Sequence, residues 1–225
     1  MNLTKSRLKE IIKNELTKLL QEQSELDDLT SWSKSNKDKK EPKTCTYSTY
    51  AWHVARKRAV DHRRISKPYS EVTDIERDPN EPRCSTCFED QVEVKVPGAP
   101  PVTVCWVYAD RVEQALKKIV DSGTFQIKDL TGYRVGKTRG AIQHGQRSAM
   151  SNHSFGTAID INRNSNGLYR GRKRRMGGHW DPKRNPDTTI VPNGIVYQEF
   201  SQFWKWGGEL KGSLKDYMHF SITGK

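Results

Sequence analysis

The chain has 225 residues, 33% of them hydrophobic, and 39 Lys and Arg against 27 Asp and Glu give it a formal net charge of +12. That length allows one ordinary domain plus an extension, and a mean hydropathy of −0.87 assigns part of the chain to a polar appendage rather than to core. No run of about 18 apolar residues exists, so no helix of this sequence spans a membrane. Lys9, Glu10, Lys13, Glu15 and Lys18 interrupt the apolar stretch that a secretory signal needs, so no signal peptide is expected and synthesis is placed in the cytoplasm. The charge suits anionic partners such as nucleic acid, anionic lipid or acidic cell-wall polymer. The lack of zinc-finger spacing, of an aromatic-basic RNA-binding motif and of a recognition-helix pattern argues against nucleic acid.

Over residues 4–23, Leu8, Ile11, Ile12, Leu16, Leu19 and Leu20 recur at three- and four-residue spacings, which predicts an amphipathic helix. Residues 31–43 (SWSKSNKDKKEPK) read as a flexible linker. Residues 1–44 are therefore expected to be an attachment segment ahead of a domain over 45–225, itself divided into a cysteine-containing part (45–120) and a core (121–225). Residues 45–61 are expected to be helical, with Trp52, Val54 and Ala59 buried, and 63–90 loop-like around Pro68, Pro79 and Pro82. Two strands are expected over 91–96 and 102–108. A helix follows over 110–120, with Val112, Ala115, Leu116 and Ile119 on one face and Gly123 as its stop. A strand is expected over 125–134, a long basic loop over 163–193, a helix over 195–206 and a final strand over 216–222.

Cys45, Cys84, Cys87 and Cys105 are the four cysteines. The Cys84–Cys87 CxxC fits half a zinc knuckle, while Cys45 and Cys105 stand alone. A second, structural zinc, two disulfides and free thiols all stay open.

The segment from Ser151 to Ile161 (SNHSFGTAIDI) carries the chemistry. Its second half alternates, with Ile159 and Ile161 on one face and Ala158 and Asp160 on the other. An acidic residue on a half-buried strand is costly unless paired or metal-bound. Gly156 supplies a bend between His153 and that strand. In the late segment Met218, Phe220 and Ile222 point to the core, which turns His219 the other way. His153, Asp160 and His219 together give two imidazoles and one carboxylate, the donor set of an open catalytic zinc site. Asp216 is the expected base. Three extended residues span roughly 10 Å, so the chain must bend between Asp216 and His219.

Ser151-x-His153-x-x-Gly156-x-Ala158-x-Asp160 followed by Asp216-x-x-His219 resembles the motif set of zinc peptidoglycan peptidases. That family comprises D-alanyl-D-alanine carboxypeptidases and L-alanyl-D-glutamate endopeptidases of phage lysins. The resemblance covers about residue 125 to residue 225. It implies an α+β fold with a small central antiparallel sheet carrying the zinc site, flanked by helices and shared with lysostaphin-type peptidases and the hedgehog domain. Thr131-Gly132-Tyr133-Arg134 resembles the family's Gly-Tyr-Arg segment, which makes Arg134 a stabiliser of the oxyanion or a substrate-carboxylate ligand. Arg139 and Arg147 compete for that role, and Ser151 is a further substrate-binding residue. The stretch from Phe203 to Glu209 (FWKWGGE) resembles the endopeptidase branch. The expected partner is bacterial peptidoglycan, cut at L-Ala–D-Glu, with a phage structural protein held through the N-terminal helix and action at the wall from a virion. A D-Ala-D-Ala carboxypeptidase with the same site and a non-catalytic zinc module are the alternatives.

Overall fold

The computed structural model describes Arg7 and residues 41–225. The helix expected over 4–23, apart from Arg7, and the linker up to residue 40 lie outside the described residues. Pro42–Lys225 form one unit, of α+β class, with fifteen short strands and two α-helices.

Thr44–His53 (β1) and Arg58–Pro68 (β2) form an antiparallel hairpin, paired from Thr44↔Pro68 to His53↔Arg58. The helix expected over 45–61 is thus corrected. Thr44, Thr46, Tyr47, Thr49, Tyr50 and Trp52 are β-branched or aromatic and fit a pleated surface. The stretch expected as loop holds 3-10 turns and a small hairpin of Arg77–Asp78 (β3) and Glu81–Ser85 (β4).

The cysteines are paired as Cys45–Cys87 and Cys84–Cys105, with Cα–Cα distances of 4.8 and 5.7 Å. Those separations are ordinary for cystine, and no thiol is left for a structural zinc. Nearby Glu89 holds the Thr46 N–H and hydroxyl, each at 2.8 Å.

Gln91–Val94 (β5) and Val102–Cys105 (β6) form the expected hairpin, in register from Gln91↔Cys105 to Val94↔Val102. Helix α1 (Ala109–Ser122) buries Val112, Ala115, Leu116 and Ile119 as expected. It ends at Gly123, where a φ of +63° lets the Gly123 N–H bond the Val120 carbonyl.

Of the strand expected over 125–134 only Leu130–Thr131 (β7) pairs. The segment before it is fixed by a side chain instead, since Asn162 accepts from the Lys128 N–H (2.7 Å) and donates to the Gln126 carbonyl (2.6 Å). Lys137–Gln143 (β8) and Gln146–Met150 (β9) form a hairpin turning at His144 and Gly145, and they complete an outer sheet of order β2-β1-β8-β9.

After Ala158–Ile161 (β10), the region expected as a long loop contains a basic hairpin of Leu168–Arg170 (β11) and Lys173–Met176 (β12). Helix α2 (Ile195–Phe200) stops short of the expected residue 206. Lys205–Trp206 (β13) pairs instead with the last strand, where Trp206 lies opposite Phe220 and both are buried. The strand expected over 216–222 is two: Leu214–Asp216 (β14) and His219–Ser221 (β15).

The central sheet has the order β13-β15-β10-β7, and every pairing in it is antiparallel. Its apolar face carries Ile159, Ile161 and Phe220 into one core with α1, α2 and the β5–β6 hairpin. Strand β14 belongs to a separate sheet of order β12-β11-β14.

Candidate metal centre

His153 sits in a 3-10 turn, Asn152–Phe155, that closes at Gly156 with φ +68°. A Cβ at Gly156 would lie 2.1 Å from Gln91 Oε1 and 2.4 Å from the Cys105 nitrogen, so glycine is required twice over, by conformation and by space. The His153 ring places Nδ1 at 2.7 Å from the Gly132 carbonyl. A carbonyl only accepts, so Nδ1 carries the proton and Nε2 keeps its lone pair.

Strand β10 then alternates as the sequence predicts. Ile159 and Ile161 enter the core, and Asp160 takes the opposite face beside a fully buried Ala158. Pairing of β10 with β15 sets Asp160 directly across from His219, and cross-strand neighbours share a face. His219 Nδ1 lies 2.9 Å from Asp160 Oδ1, and its Nε2 lies 3.2 Å from the Lys225 carbonyl. His153 Nε2 is 3.2 Å from the same Asp160 oxygen, without hydrogen-bond alignment and without any hydrogen-bond partner.

His153, Asp160 and His219 are each at most 7% exposed, and their donor atoms all lie within 4.8 Å of one another. With the outer ring nitrogens donating to carbonyls, two imidazole lone pairs and one carboxylate oxygen face each other. Such a cluster of acceptors is stable only around a proton or a cation. Two nitrogens, one oxygen and outer ring nitrogens anchored to carbonyls fit zinc. Burial raises the Asp160 carboxyl, but the neighbouring imidazoles of His153 and His219 outweigh it and hold the carboxyl well below its ordinary range.

Asp216 ends β14, and residues 217–218 carry the chain across to β15, which supplies the bend required between Asp216 and His219. Its carboxyl is 7% exposed, and Oδ1 has no hydrogen-bond partner. Burial pushes its pKa up; His219, Arg139 and His153 oppose the shift, and the Asp160 charge reinforces it. Gly207 makes room here, because a Cβ would come 2.5 Å from the Asp216 carbonyl oxygen and 2.9 Å from its Cβ.

The arginines separate. Arg134 donates its backbone N–H to the His153 carbonyl (2.9 Å), while its exposed side chain reaches the Tyr50 hydroxyl at 3.4 Å. Arg147 caps the Gly140 carbonyl at 2.7 Å. Arg139, half-buried, lines a cleft of about 790 Å³ together with Ser151, Asn152, Lys205, Trp206 and Lys211. None of the four acid and imidazole side chains lines that cleft, but its walls include Asn152 and Phe155 from the turn that carries His153. The Gly132 carbonyl and the close approach at Gly207 were not singled out by sequence reasoning. Both glycines lie in segments that carry the resemblance, and that was the available signal.

Residues 144–222 match the family model described as D-alanyl-D-alanine carboxypeptidase. The match spans His153, Asp160, Asp216 and His219, and it supports the resemblance to zinc peptidoglycan peptidases read from the motifs. No curated protein and no solved structure matches the chain. No helix among the described residues is long and apolar enough to cross a membrane.

Proposed function

We propose that the chain is a zinc-dependent peptidase acting on the peptide stems of bacterial peptidoglycan, with L-Ala–D-Glu as the bond cut. The observation that carries this reading is the convergence of His153, Asp160 and His219, whose ligand atoms lie within 4.8 Å of one another, with no hydrogen-bond partner on His153 Nε2. His153, Asp160 and His219 would hold the ion. When bound, zinc supplies Lewis acidity and a water of lowered pKa. Asp216 accepts the proton of the attacking water and hands it to the leaving amine. Its raised pKa favours that task, since a base nearer neutrality takes up a proton more readily. Arg139 and Lys205 in the cleft meet substrate carboxylates, with Ser151 beside them; Arg134 serves by tying its backbone to the His153 carbonyl. Two disulfides suit work in an oxidising compartment, where a wall substrate lies. Residues 1–44 would attach the enzyme to a larger assembly such as a virion.

The description of the matching family favours a second reading, carboxypeptidase action at terminal D-Ala–D-Ala. Incubation with purified peptidoglycan followed by mass spectrometry separates the two. New L-Ala C-termini paired with D-Glu N-termini support the endopeptidase. Release of D-Ala alone moves the assignment to the carboxypeptidase. No cleavage with zinc bound would leave a non-catalytic zinc module and refute both.

A further inference from the structure

His153 is held at two backbone points, and one strand lies against both. Gly132, whose carbonyl takes the His153 ring proton, packs on β6 so closely that a Cβ would come 2.1 Å from the Thr103 carbonyl oxygen. The next N–H, of Tyr133, donates to that same oxygen at 2.7 Å. Gly156, which closes the His153 turn, accepts the Cys105 N–H at 2.9 Å. Strand β6 is thus a splint between the carbonyl that orients the imidazole and the turn that carries it.

The splint ends at Cys105, which is cross-linked to Cys84. The segment from Cys84 to Cys87 comes back to the same place. The Thr86 carbonyl accepts the Tyr133 hydroxyl at 2.6 Å, and the Gln91 side chain donates to the Ser85 and Cys87 carbonyls at 3.0 and 3.1 Å. Cys84, Ser85, Thr86, Cys87 and Cys105 are all 0% exposed. The other disulfide offers an internal comparison, because it joins Cys87 to Cys45 on β1 in the outer sheet, and the one contact it shares with the splint, at the Cys87 carbonyl, is backbone that C45A/C87A keeps.

We propose that the Cys84–Cys105 cystine and Tyr133 are positioning residues that hold His153 at the spacing a metal ion needs, so that metal affinity rises when the two thiols are oxidised. The proposal rests on reading His153, Asp160 and His219 as a metal centre. Oxidation proceeds by exchange with a donor disulfide. Cys84 and Cys105 lose two electrons and two protons, their S–S bond forms, and the donor leaves as its dithiol. The chain then binds metal weakly in a reducing compartment and tightly in an oxidising one.

The test compares wild type with Tyr133→Phe, C84A/C105A and C45A/C87A, all as full-length chains. Zinc affinity is read by competition with a chromophoric chelator, site geometry by the visible spectrum after cobalt substitution, and overall fold by near-ultraviolet circular dichroism. Loss of a direct outer partner of a metal ligand weakens binding roughly 10–100-fold, and groups acting one step further out, through the Gly132 carbonyl, set a loss near the lower end, about tenfold. We expect that loss, with altered cobalt bands, in Tyr133→Phe and C84A/C105A, and affinity near wild type in C45A/C87A. Should C84A/C105A fail to fold, Tyr133→Phe decides alone. Wild-type affinity and cobalt bands in Tyr133→Phe would overturn the proposal, as would equal weakening in all three variants. A wild-type chain that binds no zinc would instead overturn the metal reading itself.

Discussion

Gly156 and Gly123 have nearly the same backbone conformation, with φ +68° and +63°, but opposite surroundings. An alanine at Gly123 meets nothing within 4 Å, whereas at Gly156 its Cβ would press on Gln91 Oε1 and the Cys105 nitrogen. The left-handed cost, roughly 1–2 kcal/mol for a residue with a Cβ, is common to both. Gly156→Ala adds overpacking of about 1–3 kcal/mol and weakens the Cys105 N–H bond to the Gly156 carbonyl, worth about 1 kcal/mol. Gly156→Ala should therefore cost about 2–4 kcal/mol more than Gly123→Ala. Equilibrium urea unfolding of the two variants, at matched slopes, reads the difference directly. The same displacement moves the His153 turn, so zinc affinity should fall in Gly156→Ala and hold in Gly123→Ala. Losses of stability that agree within about 0.5 kcal/mol would refute the close approach of the turn to β6.

A carboxyl whose pKa is raised by folding is more protonated folded than unfolded. Ionised Asp216 therefore costs stability as pH climbs above the ordinary value of 3.8, and costs it fully above the raised value. Asp216→Asn should raise the Tm of the metal-free chain at about pH 7 and leave it unchanged near pH 3, while lowering peptide hydrolysis by about 10²–10⁴; equal Tm at both pH values would contradict the burial of an unpaired charge. Arg139→Gln should cut kcat/KM for carboxylate-bearing stem peptides by about 10–100-fold, the worth of one charged hydrogen bond. Arg134→Gln, whose side chain points to Tyr50, should cost far less, and the reverse order would return the substrate role to Arg134. The exposed side chains of Arg172, Lys173, Arg174 and Arg175 should make binding to whole cell walls fall with added salt, while hydrolysis of a soluble stem peptide stays level; pelleting assays across a salt series check this.

The cluster of His153, Asp160 and His219 was legible because its cues are local. Alternation put Asp160 and His219 opposite the core residues on their strands, and a glycine four residues before Asp160 marked the turn. The demand for a bend after Asp216 came from chain length alone, and the jump from β14 to β15 meets it. Elsewhere the deciding contacts lie far apart in sequence. The charged stretch from Ala55 to Arg64 hid a hairpin, because its β-forming residues sit in the preceding segment. The end of α2 depends on Trp206 finding Phe220 across the central sheet, which no helical periodicity foretells. Cysteine pairing could not be read from spacing, since both members of the CxxC are bonded elsewhere. Arg134, Arg139 and Arg147 are alike in sequence, and only the fold decides that Arg139 lines the cleft.

The most direct test of the central claim is the zinc content of the purified chain, measured together with its release of stem-peptide fragments before and after metal removal. About one zinc per chain, with cleavage lost to a chelator and restored by added Zn²⁺, is the predicted result. Undiminished cleavage by a chain stripped of metal would contradict it.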